Sequence, residues 1–267
     1  WAFHGWPARA VMSHHLAYRR YTLPLRTPVR TAHGVLAERT GLIVRLDDAA
    51  GRVGYGEAAP LPGFGRETAE ADEAVCRALG DTVDAERLAG IPAELGCLRH
   101  ALEEAARSGP KVPVHTYLPV AALLPAGRGA FAKVDGLVDA GFRTFKWKVG
   151  VTDAADELAM LDDLLARLPE GAKLRLDANG AWDRRTAERW LGRCAGYPVE
   201  HVEQPIAADA RGVEDLLLGL AGDYPTLVAL DESLAGSGDL ERWVQAGWPG
   251  VYVVKPSLTA DLDAALA

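Results

Sequence analysis

From residue 119 onward, short apolar stretches with strand character alternate with amphipathic helical stretches, and this alternation is the strongest constraint on the fold. The helical stretches include DAADELAMLDDLLARL and DRRTAERWLGRCAG. The strand candidates are residues 119–124, 142–149, 172–178, 198–204, 226–231 and 250–256. Strands that alternate with helices form parallel βαβ units, and eight such units in about 250 residues make a TIM-type barrel. The pattern therefore predicts a (β/α) barrel with six of its eight strands present.

An open, doubly wound parallel sheet is the structural alternative, because it is built from the same βαβ units. That fold commonly binds a nucleotide through a Gly-rich turn after its first strand. No such fingerprint follows the first strand candidate, residues 119–124. We therefore prefer the barrel.

The amino-terminal part of the chain has a different pattern. Residues 16–57 are strand-like with a glycine-bearing turn, which is typical of an antiparallel β-meander, and helical spacing follows. We expect an α+β domain over residues 12–113 and the barrel domain over residues 114–267. Met12 has the position of a natural start, so residues 1–11 are interpreted as an upstream or non-native extension.

The composition disfavours several classes of protein. The chain has 267 residues, of which 49% are hydrophobic and 25% charged, enough apolar material for a large core. A formal net charge of −8 argues against nucleic acid or an anionic membrane as a partner. Three scattered cysteines suggest neither a disulfide framework nor a zinc cluster, and no apolar run has membrane-spanning length. We expect a cytoplasmic protein that acts on a small molecule.

Charged residues stand at the ends of five consecutive strand candidates. They are Lys148, Asp177, Glu203, Asp231 and Lys255, and successive members are 24 to 29 residues apart. Since this separation is about one βα unit, all five are expected at the carboxyl-terminal rim, where barrel enzymes carry out their chemistry. A single acid after a strand is more often a helix cap, and Asp231 could act in that way. Five such residues in successive units favour a functional site.

Three carboxylates that converge on one rim require a cation to remain ionised together. Oxygen ligands without histidine or cysteine indicate a hard metal, Mg²⁺ first and Mn²⁺ second. A lysine beside such a metal can serve as a general base. The residues alone therefore predict a metal-dependent enzyme that removes a proton α to a carboxylate and stabilises the resulting enediolate.

The segment FKWKV places two lysines one residue apart in a strand candidate. Side chains alternate between the faces of a strand, so Lys146 and Lys148 point one way and Phe145, Trp147 and Val149 the other. The aromatic face is expected to be covered by helices. The two lysines are then expected to face the barrel interior.

These motifs resemble those of the enolase superfamily, in the subgroup typified by muconate-lactonizing enzymes. The matching motifs are KWK, DAN, EQP, DES and VKPS, and the β-meander with its helices is similar to the superfamily's capping domain. The loop GEAAPLPGFGRET, residues 56–68, is particularly similar to that of the o-succinylbenzoate synthases. The resemblance implies a Mg²⁺-dependent lyase of menaquinone biosynthesis, which dehydrates 2-succinyl-6-hydroxy-2,4-cyclohexadiene-1-carboxylate to o-succinylbenzoate.

The resemblance also implies roles for the residues at the strand ends. Asp177, Glu203 and Asp231 would bind Mg²⁺. Lys148 would remove the α-proton and return it to the departing hydroxyl group. Lys255 would stabilise the enediolate by its charge and by a cation–π contact with the forming aromatic ring.

Further residues receive supporting roles from the same resemblance. Lys146 would lie close enough to the base to tune it. Arg175 would either hold the acids in place or pack as a barrel-layer residue, and Asn179 would orient a ligand or simply form a turn. Arg30 and His33 lie in the segment that matches the family's mobile capping loop and are weak candidates for binding the substrate's succinyl carboxylate.

Several alternatives remain open from the sequence. The same lysines and metal would serve a dipeptide epimerase, an N-acylamino-acid racemase or a muconate-type cycloisomerase. A Schiff-base aldolase with Lys255 as its nucleophile, or an inactive barrel fragment, is a further alternative. The chain ends at Ala267, shortly after the sixth strand candidate, so we expect a fragment of a longer protein or a chain that pairs with another. The oligomeric state is not indicated.

Overall fold

The computed structural model describes residues 13–31, 34–62, 67–107, 118–235 and 238–258. The chain divides into two compact units. The first comprises Trp1–Val114, Leu234–Leu240 and Val254–Ala267, and the second comprises His115–Ser233 and Glu241–Val253. Each unit is built around its own sheet, antiparallel in the first and parallel in the second.

The first unit combines an antiparallel sheet with helices. The sheet order is β3-β2-β1-β4, so the first three strands form a meander. Its strands are β1 (His14–Thr31), β2 (Gly34–Asp48), β3 (Val53–Ala58) and β4 (Thr82–Val83), and its helices are α1 (Ala69–Leu79), α2 (Ala85–Ala89) and α3 (Gly96–Ala106). The α+β character predicted for the front of the chain is confirmed.

One face of β2 is buried because its apolar residues alternate. Leu42, Val44 and Leu46 are each at most 1% exposed. Gly56, on the neighbouring β3, allows a close approach of α3, since a Cβ atom there would lie 1.9 Å from the carbonyl oxygen of Ala101. A larger residue at position 56 would force the helix away from the sheet.

The amino end of α3 is capped by a residue that is distant in the sequence. Leu95, at the N-cap position, makes no side-chain hydrogen bond to the helix. The backbone amides of Cys97 and Leu98 instead donate to the buried Glu67 carboxylate, both at 2.9 Å. A carboxylate at this position satisfies amides that a helix leaves unpaired and interacts favourably with its dipole. Glu67 therefore ties the segment that precedes α1 to α3.

Among the described residues, the second unit contains six parallel strands in sequential order, β5 to β10. The strands are β5 (Ala122–Leu124), β6 (Thr144–Lys148), β7 (Lys173–Asp177), β8 (Val199–Glu203), β9 (Val228–Leu230) and β10 (Val251–Tyr252). The intervening helices are α4 (Gly129–Asp139), α5 (Ala154–Leu165), α6 (Arg184–Cys194), α7 (Val213–Asp223) and, after a 3₁₀ turn at Glu232–Leu234, α8 (Asp239–Gln245). A doubly wound sheet reverses its strand order at a switch point, and this sheet does not. The predicted barrel-type arrangement is confirmed.

The last predicted strand is shorter than expected. The sequence predicts a strand over residues 250–256, whereas β10 covers only Val251–Tyr252. Pairing continues for one further hydrogen bond, from the amide of Val253 to the carbonyl of Leu230 at 2.8 Å. Pro256 has no amide hydrogen to extend the ladder. Lys255 therefore lies three residues beyond the strand rather than at its last residue.

An aromatic cluster supports the outer face of β6. Trp147 is 1% exposed, and its ring meets that of Trp190 edge to face, with centroids 6.4 Å apart. Trp190 in turn stacks on Trp182 at 5.0 Å. Phe145 and Val149 are also buried, so the predicted division of this strand into an apolar outer face and a lysine-bearing inner face is confirmed.

The helices of both units are short. The longest that the structure describes, α5, has 12 residues, whereas a membrane-spanning helix needs about 20. Across the described ranges, no helix combines the length and the apolar character required to cross a membrane.

Candidate active site

Three of the predicted site residues lie side by side at the carboxyl ends of neighbouring strands. Lys148 is the register partner of Asp177, and Asp177 is the register partner of Glu203. Each is the last residue of its strand. Asp231 directly follows Leu230, the last residue of β9, at the same edge of the sheet. Because the strands are parallel, these residues form one row along the carboxyl-terminal edge.

Lys146 joins two of the carboxylates. Its Nζ lies 2.9 Å from Oδ2 of Asp177 and 2.6 Å from Oε1 of Glu203. Burial by itself would lower the pKa of Lys146, but the charges of the two carboxylates and their hydrogen bonds raise it above its usual value. The lysine is therefore held as a cation between the two acids.

The acids also affect one another. Burial, followed by the negative charge of Glu203, raises the pKa of Asp177 above its usual value, although Lys146 and Lys148 act in the opposite direction. Glu203 is only 2% exposed and Asp231 5% exposed. The edge of the sheet thus concentrates three buried carboxyl groups, with Lys146 and Lys148 acting on Asp177.

The donor set fits a hard divalent cation by its chemistry. Carboxylate oxygens are the ligands that Mg²⁺ prefers, and three carboxylates stand at the ends of three adjacent strands. Within the described ranges, however, no group of three or more His, Cys, Asp or Glu side chains is arranged to hold a metal ion as it stands. Asp177 and Glu203 are instead directed at the ammonium group of Lys146. Binding of a metal would require these side chains to rearrange.

Asn179 links the loop after β7 to the 3₁₀ turn after β9. It lies two residues beyond β7 in a left-handed backbone conformation, with φ of 45°, and its Nδ2 donates to Oε1 of Glu232 at 2.9 Å. Burial raises the pKa of Glu232, and the charges of Asp177 and Glu203 add to the effect. Glu232 is therefore a fourth acid close to the predicted site.

Arg175 lies two residues before Asp177 on β7, where its register partners are Lys146 on β6 and His201 on β8. Its Nε donates to Oε2 of Glu200 at 2.7 Å, and Lys173 binds the other oxygen of Glu200 at 2.9 Å. The prediction that Arg175 holds the site acids is not supported, because its side chain turns toward the acid near the amino end of β8. Arg175 belongs to a separate ion-pair cluster.

The loop that follows Lys148 is fastened by a buried acid. Glu157, in the first turn of α5, is 0% exposed. Its carboxylate accepts hydrogen bonds from the amides of Gly150, Val151 and Thr152 at 2.7 to 3.1 Å, and from the Thr152 hydroxyl at 3.2 Å. The helix thus fixes the path of the chain directly after the predicted base.

Gly150 also brings the loops after β6 and β7 into close contact. Its φ is 75°, and a Cβ atom there would lie 2.8 Å from Cβ of Ala181 and 3.2 Å from the carbonyl oxygen of Ala178. A side chain at position 150 would therefore clash with the neighbouring loop as well as strain the backbone.

Three further predicted residues are Lys255, Arg30 and His33. Lys255 is half-buried and falls within the first unit. The backbone of Arg30 pairs with Val35 in the β1–β2 ladder, but its side chain lies outside the described part of the structure. His33 lies wholly outside it. The roles suggested for these three residues stay predictions.

Three polar residues beside the site were not predicted. Gln204 and Glu232 stand within the EQP and DES motifs, next to the predicted ligands Glu203 and Asp231, and this adjacency was the available signal. Glu157 had no such signal, because an acid in the first turn of a helix is common on dipole grounds alone.

Two family descriptions and several known proteins match the chain. Residues 12–93 match the family described as MenC, N-terminal domain, and residues 130–266 match the family described as Enolase C-terminal domain-like. An o-succinylbenzoate synthase of Thermosynechococcus vestitus is 44% identical over 250 residues, which cover 92% of this chain and 77% of that protein. A hydrophobic dipeptide epimerase of Roseobacter litoralis is 30% identical, with 86% of this chain and 72% of that protein covered.

Solved structures agree with these matches. The crystal structure of the o-succinylbenzoate synthase from Thermosynechococcus elongatus, with Mg in its active site, superposes with a TM-score of 0.85 at 43% identity and covers 94% of this chain and 79% of that one. A dipeptide epimerase from Cytophaga hutchinsonii superposes with a TM-score of 0.80 at 20% identity, with 96% and 75% covered. The second likeness concerns the fold alone.

Proposed function

Because the chain belongs to the o-succinylbenzoate synthase family of the enolase superfamily, we propose that it is a Mg²⁺-dependent lyase. Its substrate is 2-succinyl-6-hydroxy-2,4-cyclohexadiene-1-carboxylate, and its products are o-succinylbenzoate and water. The reaction belongs to menaquinone biosynthesis. The observation that carries the proposal is the row Lys148–Asp177–Glu203, which sets a lysine beside two buried carboxylates at the carboxyl ends of parallel strands.

Lys148 acts as the base. The neutral amine takes the proton from the ring carbon that bears the carboxylate, and the electron pair left behind is delocalised into that carboxylate group. The electrons then expel the hydroxyl group on the adjacent carbon, and Lys148 returns its proton to the departing oxygen to form water. Since one lysine performs both transfers, proton and hydroxyl leave from the same face of the ring. Glu157 supports this role by fixing the loop directly after Lys148.

Asp177, Glu203 and Asp231 would hold Mg²⁺, with Mn²⁺ as an alternative ion. When bound, the metal supplies a Lewis acid that withdraws negative charge from the substrate carboxylate. Lys146, which contacts Asp177 and Glu203, would release these oxygens as the metal is loaded and remain nearby as a source of positive charge. Asn179 contributes indirectly by holding Glu232 in place.

Lys255 would stabilise negative charge without accepting a proton. The VKPS motif supplies the lysine, and this charge-only role is what would distinguish the proposed lyase from a racemase, in which both lysines act as bases. Lys255→Arg, which keeps the charge, is therefore expected to retain more dehydration activity than Lys255→Ala. Equal loss in both variants would contradict a purely electrostatic role.

The proposal is tested by incubating the chain with the cyclohexadiene carboxylate and Mg²⁺ and following the aromatic product by absorbance. We expect turnover that EDTA abolishes and that added Mg²⁺ restores. In parallel, borohydride should not trap substrate on the protein. Activity that survives EDTA, together with trapping on Lys255, would identify a Schiff-base aldolase instead.

A dipeptide epimerase is the second candidate, because a relative with that activity is 30% identical over most of this chain. An epimerase exchanges the α-proton of a dipeptide with solvent, so incubation in D₂O separates the two. We expect no incorporation of deuterium into hydrophobic dipeptides under conditions in which the cyclohexadiene substrate is dehydrated. Rapid exchange without dehydration would favour the epimerase.

A further inference from the structure

Gln204 directly follows the proposed metal ligand Glu203, and its hydrogen bonds reach β9, the turn after β9 and the loop after β7. We propose that Gln204 is a positioning residue that sets the spacing of the Asp177, Glu203 and Asp231 carboxylates for Mg²⁺. The inference rests on the proposed function, since it assigns a role toward the metal that this function requires. Gln204 touches no reacting atom and acts only through the ligands.

The side chain of Gln204 is fully buried and uses its entire hydrogen-bonding capacity. It is 0% exposed. Its Nε2 donates to the carbonyl of Ile206 and to Oγ of Ser233, both at 2.8 Å. Its Oε1 accepts from the amides of Asp231 at 3.0 Å and Ser233 at 3.1 Å. A carboxamide has two N–H donors and two acceptor lone pairs, so each is used and the orientation of the group is determined.

The main chain of Gln204 adds contacts on both sides. Its amide donates to the carbonyl of Ala229 on β9 at 2.8 Å, and its carbonyl accepts from the amide of Gly180, in the loop after β7, at 2.7 Å. This geometry requires a left-handed backbone, with a φ of 38° that is uncommon for a residue other than glycine. One residue thus links the chain after β7, β8 and β9.

The strand ladder alone does not explain how Asp231 is placed. β8 and β9 share only two register pairs, Val202 with Val228 and Glu203 with Ala229. Asp231 lies two residues beyond the last pair, where its amide hydrogen bonds to Gln204. Beyond the last register pair, the Gln204 carboxamide therefore adds a direct link between the end of β8 and the backbone of Asp231. Partners of this kind orient the ligands of a metal, and their loss typically weakens binding by about 10- to 100-fold.

A matched control separates a role in metal binding from a role in stability. Thr226 is 5% exposed and donates its hydroxyl to the carbonyl of Leu191 at 3.0 Å, just before the amino end of β9. Thr226→Val removes a buried hydrogen bond beside the same strand but far along it from the carboxylates. It should lower the thermal stability without changing the affinity for Mg²⁺.

The test measures the Kd of Mg²⁺ alone by isothermal titration calorimetry, and the melting temperature without metal, for the wild type and three variants. Gln204→Met keeps the length of the side chain and removes its hydrogen bonds. We expect it to weaken Mg²⁺ binding by about 10-fold or more. Ser233→Ala removes one acceptor of the carboxamide and should weaken binding by about two- to five-fold. Thr226→Val should stay within about two-fold of the wild type.

A folded Gln204→Met variant that binds Mg²⁺ as tightly as the wild type would overturn the positioning role. If Gln204→Met does not fold, an unchanged affinity of Ser233→Ala for Mg²⁺ would overturn the positioning role instead. A loss of affinity in Thr226→Val equal to that in Gln204→Met would also overturn it, because the effect would then follow stability. A wild type that binds no Mg²⁺ would overturn the proposed function itself, and the positioning role with it.

Discussion

Asp177 on β7 and Glu203 on β8 are register partners whose carboxylates share one ammonium group, that of Lys146. Burial and the neighbouring charge of Glu203 raise the pKa of Asp177. Two buried carboxylates this close require a cation to remain ionised together, and in this structure Lys146 supplies it. Both the proposed metal site and the first prediction depend on this relationship.

Asp177→Asn is expected to abolish the metal-dependent activity. The amide is neutral and a weaker ligand for Mg²⁺ than a carboxylate, so we expect turnover to fall by about 1000-fold or more. The measurements are turnover and the Kd of Mg²⁺. Asp183→Asn serves as the control, because Asp183 caps α6 through the amide of Thr186 at 2.7 Å and asparagine can accept the same hydrogen bond, so turnover and Mg²⁺ affinity should stay unchanged. Normal turnover in Asp177→Asn would rule out its role as a ligand.

Lys148→Ala is expected to separate proton transfer from metal binding. Without the amine no base is in place, so we expect turnover to drop by at least about 100-fold. The Kd of Mg²⁺ should change little, since Lys148 is not one of the proposed ligands. Lys173→Ala is the matched control, because Lys173 lies at the amino end of β7 and pairs with Glu200. The assignment of Lys148 as the base fails if its alanine variant keeps wild-type turnover.

The buried carboxyl group of Asp72 is expected to make the stability of the folded chain depend on pH. Burial, with the charge of Glu67 second, raises its pKa to about 8. The pKa of an unfolded aspartate is about 3.9, so the folded chain holds a proton that the unfolded chain releases as the pH rises above that value. The protonated Asp72 therefore makes its full contribution to the stability of the folded chain below about pH 4, and this contribution is lost as the pH rises to about 8.

Asp72→Asn should remove this dependence. The amide carries no charge and can donate to Glu67, so urea unfolding at a series of pH values should show a flatter profile than the wild type. At pH 8 the variant should be the more stable by a few kcal/mol at most. A variant profile that runs parallel to the wild type would contradict the assignment.

Glu157→Ala is expected to create a vacant anion site. The amides of Gly150, Val151 and Thr152 would lose their acceptor, at a cost of about 3 kcal/mol. Formate or acetate should raise the melting temperature of the variant, while chloride at equal ionic strength should not. Glu188→Ala, which loses only the exposed pair with Arg184, is the control and should show no rescue. Absence of rescue by either carboxylate would refute the anchoring role.

Local pattern was sufficient for most of the fold. Strand and helix alternation predicted each parallel strand, because a buried strand and an amphipathic helix differ in the period of their apolar residues. The extents of β5, β9 and β10 were overpredicted, and at β10 the apolar stretch VYVVKP continues after the pairing has ended. How far a strand pairs depends on the path of its neighbour, and that path is not encoded within the strand.

The site was predictable where it depends on topology and unpredictable where it depends on loops. Equal spacing indicated that Asp177 and Glu203 meet, because parallel strands align their ends. The sequence left open which acid Arg175 would bind, because Glu200 and Glu203 lie on either side of its register partner on β8. The hydrogen bonds of Gln204 could not be foreseen, because they require a left-handed turn and a neighbouring loop of the right length.

The contact of Gly150 with Ala181 limits how this rim can be redesigned. The two loops meet at van der Waals distance, with no room for even a methyl group at position 150. Directed evolution toward bulkier substrates is therefore expected to leave both positions unchanged, or to change them only together. Libraries that diversify position 150 alone should yield mostly unfolded proteins, and mutational freedom in the second unit should lie in loops that do not share this contact.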